Sequence, residues 1–135
     1  DDKCIRLEIQ PALDFGQRSG ARVGWRFDRS MKKMYKHIVL WKLKSNTDAR
    51  QKAEQLDRAC AMLRGLPALI EGIRHYEVGV NIADYGASFF DFSLISVFGT
   101  QQDFEAYCRH PEHDKVVGFI ASITEQEKIV DYKAG

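Results

Sequence analysis

A chain of 135 residues, 44% hydrophobic and 29% charged, is long enough for one domain with a real core and small enough to gain from a partner subunit. Its net charge is +1 with Lys and Arg scattered along it, so it lacks the clustered basic face of a nucleic-acid binder. No apolar run approaches the roughly 20 residues of a membrane span, and Cys4, Cys60 and Cys108 show no CxxC spacing. The expectation is a cytoplasmic protein with reduced thiols, Cys60 buried, and with neither nucleic-acid nor membrane partners.

Residues 1–30, DDKCIRLEIQPALDFGQRSGARVGWRFDRS, differ in texture from the rest, with short apolar pieces broken by Gly16, Gly20 and Gly24. MKKMYKHIVLWKLK then reads like a protein start at Met31 or Met34, and the leading DDK like the tail of a protease-cleavage linker. The segment is therefore expected to be non-native or disordered and is kept out of fold reasoning, which leaves 31–135 as the domain. The alternative is a native arm packing through Ile9, Leu13 and Trp25.

YKHIVLWKL predicts a strand with Tyr35, His37, Val39, Trp41 and Leu43 on one face and Ile38 and Leu40 on the other. Asp48, followed three residues later by Gln51, predicts a capped helix to about Leu63, with Ala49, Ala53, Leu56, Cys60 and Leu63 as its buried stripe. Gly65 and Pro67 stop it. RHYEVGVNI, 74–82, is the second strand. SFFDFSLISVF, 88–98, is the third, with Phe90, Phe92, Leu94 and Phe98 on one face and Phe89, Ile95 and Val97 on the other. Thr100 caps a short helix to about Cys108, and Pro111 suits the first turn of another, where its missing amide hydrogen costs nothing. That helix runs to about Thr124, burying Val116, Val117, Phe119, Ile120 and Ile123, and EKIVDYK closes as the last strand.

The order is βαββαβ, which places the chain in the α+β class, with a ferredoxin-like four-stranded antiparallel sheet and helices on one face. The opposite sheet face carries too much apolar surface for water, including aromatics of the third strand. A second copy stacked sheet to sheet covers it most economically, so the chain itself is the expected partner, in a homodimer.

YCRHPEHDKV, residues 107–116, sets Tyr107, His110 and His113 around Pro111. They line a cavity for proton transfer, bind a metal, or end one helix and begin another. For a metal, His110 and His113 with His37 or His75 are a poor match to HExxH, since a spacing of three across a proline does not put both rings on one helix face. Phosphate loops, Ser-His-Asp order and flavin or nicotinamide fingerprints are missing, so neither cofactor nor metal is expected.

KHIVLWKLK, LPALIEGIRHYEVGVN, FFDFSLISVF, DFEAYCRHPEH and the closing IVDY together resemble the stress-responsive α/β-barrel (Dabb) family, from about Tyr35 to Tyr132. The resemblance implies a dimeric α+β barrel in which two sheets pack together with helices outside. The family includes plant boiling-stable and heat-stable proteins, and olivetolic acid cyclase, which closes a linear polyketide by aldol condensation without a cofactor. The AYxxHPxH motif resembles that of the cyclase, whose working tyrosine and histidine fall on Tyr107 and His113 and whose first-strand histidine falls on His37.

An aldol closure needs a base beside a carbonyl and a donor for the enolate oxygen. His113 suits the base, because the positive end of the helix dipole favours a neutral ring. Tyr107 suits the donor, His37 reaches the same space, and His110 is expected at the helix cap. The expected function is thus a small-molecule pocket with cofactor-free lyase or cyclase chemistry on a polyketide-like or phenolic ketone. The alternative is a non-catalytic, stable barrel that serves stress tolerance or binds a small apolar or phenolic ligand, its histidines satisfied by the backbone.

Overall fold

The computed structural model describes residues 33–84, 86 and 89–135; the reading of 1–30 as foreign to the domain falls outside them. Strand β1 (Met34–Leu43) is followed by α1 (Ala49–Gly65), a 3₁₀ turn at Leu66–Ala68, β2 (Ile73–Val80) and β3 (Phe92–Phe98). Then come α2 (Gln101–Arg109), α3 (Pro111–Ile123) and β4 (Thr124–Ala134). The strands form one antiparallel sheet in the order β2-β3-β1-β4, the ferredoxin-like arrangement, with three helices among the described residues.

The alternation read along β1 is the alternation observed: Tyr35, His37, Val39, Trp41 and Leu43 are buried, while Leu40 is exposed. The inward residues of β3 are Phe92, Leu94, Ser96 and Phe98. Phe104, on α2, is wholly buried and packs its ring against Tyr35 at 4.4 Å, His37 at 4.9 Å and Phe98 at 5.4 Å between centroids. Truncating a ring so enclosed costs about 3–5 kcal/mol, the transfer of its surface plus the void left behind. Both described cysteines, Cys60 and Cys108, are buried and outside any disulfide, and burial raises the pKa of Cys60.

The caps sit where the side chains foretell them. Asp48 Oδ1 accepts from the Gln51 amide at 2.8 Å, and Thr100 Oγ1 accepts from the Asp103 amide at 3.1 Å. Gly72 leads into β2 at φ 90°, a left-handed backbone, and a Cβ there would meet the Asp103 side chain at 2.9 Å.

Three expectations need correction. The buried stripe of α1 comprises Ala59, Cys60 and Leu63 with Leu56 half-buried, whereas Ala49 and Ala53 are exposed. Methyl groups at the first two turns supply too little surface to draw that end of the helix inward, and the larger side chains set the contact. The third strand starts at Phe92, not 88; residue 88 itself lies outside the described set. Asp91 causes the late start. Its carboxylate accepts from the Leu43 amide at 2.7 Å and its own amide donates to Trp41 O at 2.8 Å, so a side chain does there what a ladder would do. The last strand, in contrast, is longer than EKIVDYK and begins directly at Thr124.

Candidate functional site

Helix α2 ends at Arg109 and α3 begins at Pro111, so His110 serves both. Its amide donates to Tyr107 O at 3.2 Å, and its Nδ1 accepts from the Glu112 amide at 3.1 Å. His110 therefore turns to the helix junction, as the spacing predicts. The carbonyls in the last turn of any helix have no intrahelical donor. At the end of α2 the His113 ring supplies one, with Nδ1 3.2 Å from Cys108 O. A carbonyl oxygen only accepts, so Nδ1 carries the hydrogen and the neutral ring keeps its lone pair on Nε2.

Tyr107 and His113 are both buried, with ring centroids 4.4 Å apart. Phe98 lies against Tyr107 at 5.0 Å, and the Tyr107 hydroxyl pairs with that of Tyr76 on β2 at 2.8 Å. Burial pushes the pKa of Tyr76 up to about 12 against a lowering by this hydrogen bond, so Tyr76 keeps its proton and either hydroxyl can serve as the donor of the pair.

On the sheet, register pairs His37 with Asp131 and Trp41 with Glu127 across β1 and β4. Asp131 Oδ1 lies 2.6 Å from His37 Nδ1, and its Oδ2 accepts from the Tyr35 hydroxyl at 2.6 Å. A carboxylate taking both bonds fixes the hydrogen of neutral His37 on Nδ1, and its basic nitrogen is again Nε2. Burial first, then the bond to Asp131, raises the pKa of Tyr35 well above the usual phenol. Four residues along, Trp41 Nε1 donates to Glu127 Oε2 at 3.0 Å. Each strand thus repeats one device, a ring N–H held by a cross-strand carboxylate, on either side of the Val39–Ile129 pair.

Between sheet and helices lies a cavity of about 40 Å³. His37, Tyr107 and His113 all line it, against apolar walls that include Val39, Leu63, Leu94, Val116 and Ile120. The three residues singled out in the sequence are therefore brought to one space, from β1, α2 and α3. His75 is elsewhere, exposed on β2 at 3.8 Å from Glu77. Among the described residues no group of three or more His, Cys, Asp and Glu side chains is placed to hold a metal ion.

Sequence reasoning missed Asp131 and Glu127 as site residues. Asp131 was legible only as part of the closing IVDY. With both Ile129 and Val130 apolar, nothing local says which parity of β4 faces inward.

A four-stranded antiparallel sheet with its helices on one face, enclosing a small polar-tipped cavity, defines a ferredoxin-like α+β protein. The chain belongs to the stress-responsive A/B barrel domain (Dabb) family, whose profile matches residues 35–134. No curated protein sequence matches it. Among solved structures, a dimeric ferredoxin-like protein from Bacteroides fragilis is 33% identical, over 74% of this chain and 95% of that one, with a TM-score of 0.68. A dimeric ferredoxin-like protein from Thermobifida fusca is 22% identical over 76% and 92%, and the hydroxynitrile lyase of Passiflora edulis 18% identical over 76% and 94%, each with a TM-score of 0.65. At such identities the last two show the fold alone. No helix among the described residues is long and apolar enough to cross a membrane.

Proposed function

We propose that the protein is a homodimeric, cofactor-free acid–base catalyst, a lyase or cyclase acting on a small apolar carbonyl compound through His113 and Tyr107, with His37 on the strand wall. One observation carries the reading: three polar side chains from separate elements line one apolar cavity, and both histidines have their Nδ1 committed elsewhere.

In this reading His113 Nε2 takes the proton beside the carbonyl, and the C–H electron pair moves onto the carbonyl oxygen as an enolate. Tyr76 donates to Tyr107, and Tyr107 donates to that oxygen. In the cyclase direction the enolate carbon forms a bond to a second carbonyl carbon. The proton taken by His113 passes through water to His37 Nε2, and the imidazolium so formed, paired with Asp131, gives it to the new alkoxide, so both rings end neutral. In the lyase direction His37 Nε2 removes the hydroxyl proton and the carbon–carbon bond breaks to leave the enolate. That proton passes through water to His113, which gives it to the carbon.

Volume bounds the substrate. About 40 Å³ holds a few waters, while a cavity that takes benzene is nearer ~150 Å³. A short-chain ketone or aldehyde suits this space, whereas a phenolic or polyketide ring requires movement of the half-buried Val117 in the wall. The same small volume favours the second reading, a non-catalytic barrel.

The dimer is argued from the outer sheet face, where register sets Ile38 between Ile95 and Val130, with Leu40 and Tyr132 exposed nearby. The Bacteroides and Thermobifida relatives, described as dimeric, support it. An interface near the ~1,600 Å² standard size is expected.

The test needs no natural substrate. In D₂O the protein should speed deuterium exchange at the α-carbon of acetone beyond the rate of free imidazole at equal concentration. His113→Gln, which keeps a donor for Cys108 O, should abolish the effect, and Tyr107→Phe should lower it by about 10²-fold. Exchange no faster than with free imidazole overturns the catalytic reading and leaves the binding barrel.

A further inference from the structure

Glu127 plays no part in the chemistry above, yet it lines the same cavity and is itself exposed, so it stands where the cavity meets solvent. It is tethered there: its Oε2 accepts from Trp41 Nε1 at 3.0 Å, and Trp41 is in turn stacked on Phe92 at 4.8 Å between centroids. The described residues that line the cavity include no Lys or Arg. The Nδ1 hydrogens of the two histidines are held by Asp131 and by Cys108 O, and Asp131 is a second carboxylate, directly behind His37.

We infer that this pocket selects neutral ligands and rejects carboxylates, with Glu127 as the screening charge at its mouth. The inference rests on the reading of the cavity as a ligand site. An anion entering there would leave water for apolar walls, meet no Lys or Arg, and lie between one carboxylate at the entrance and another beside His37 on the neighbouring strand. A neutral carbonyl compound of the same shape suffers neither penalty. Its hydroxyl or amide donors find an acceptor-only group at the mouth. Charge thus separates molecules that size alone would admit together.

Acetamide and acetate test this, because they match in shape and size and differ in charge. The full chain is titrated with each at pH 8 and equal ionic strength, following the ring Hε1 resonances of His37 and His113 by NMR. Acetamide should shift both resonances in the millimolar range, and acetate should bind about tenfold more weakly or worse. Glu127→Gln still accepts from Trp41 and so keeps the wall, and it should narrow that gap to about threefold or less. Acetate binding as tightly as acetamide, or a gap unchanged in Glu127→Gln, overturns the inference. So does silence of both histidines toward both ligands, which would remove the ligand site as well. Selective binding of acetamide without any acetone exchange sinks the catalytic reading while the selectivity stands.

Discussion

Replacing Asp131 with alanine tests the polar link between the last strand and the first. Its carboxylate accepts from the Tyr35 hydroxyl and from His37 Nδ1, both at 2.6 Å, in a site where Tyr35 is 1% and His37 3% exposed. Hydrogen bonds to a charged group contribute about 1.5–3 kcal/mol each, and their loss here strands two donors that water reaches poorly. Part of the gain is already offset by the desolvation of the carboxylate, so Asp131→Ala should cost about 3–5 kcal/mol. For a domain of this size that is a fall in Tm of more than about 12 °C. Asp131→Asn keeps one acceptor oxygen, and the Tyr35 hydroxyl can rotate to accept from the amide, so its cost should be about half. A thermal melt at pH 7 reads all of these. Tyr35→Phe sharpens the test: in the native background it removes a hydrogen bond and destabilises, whereas on top of Asp131→Ala it removes an orphaned hydroxyl and should be neutral or stabilising. A loss below about 1 kcal/mol for Asp131→Ala, or additive effects of the pair, would refute the bridge as a stabilising unit.

Three further outcomes follow from the geometry. Tyr35 and Tyr76 hold their phenolic protons more tightly folded than unfolded, so the stability they contribute is full below about pH 10 and falls as pH rises through about 12, the Tyr76 value; Tyr76→Phe should flatten that decline in alkaline melts. His110→Ala removes the acceptor for the Glu112 amide and should cost about 1 kcal/mol, which His110→Asn should largely restore in the same melts. Val130→Lys places a charge opposite Ile38 on the outer sheet face and should convert dimer to monomer by light scattering, while an undisturbed dimer would put the interface elsewhere.

Local signals were read correctly where one physical cause acts alone. Strand β1 was legible because its inward and outward positions are pure alternation, and the α2–α3 break because Thr100 and Pro111 each do one thing. Reading failed where a distant partner decides. Phe89 and Phe90 look like strand residues, yet Asp91 takes its partners from β1, about fifty positions back, and ends the ladder there. For the site, His37, Tyr107 and His113 came from residue type, helix-boundary spacing and family resemblance. The groups that set their hydrogens did not. Asp131 lies 94 positions from His37, and the pairing exists only because β4 closes the sheet against β1 in one register. A slip of one residue would turn Asp131 outward and Val130 inward, exchanging a buried hydrogen-bond acceptor for a methyl pair. Two sets of apolar contacts thus depend on the same register as the histidine's proton: Ile129 against Val39 on the helix side, and Val130 against Ile38 on the side argued to meet a second copy. If that copy binds as argued, dimerisation favours the register that keeps His37 in one tautomer, which links assembly to the state of the cavity through a single strand.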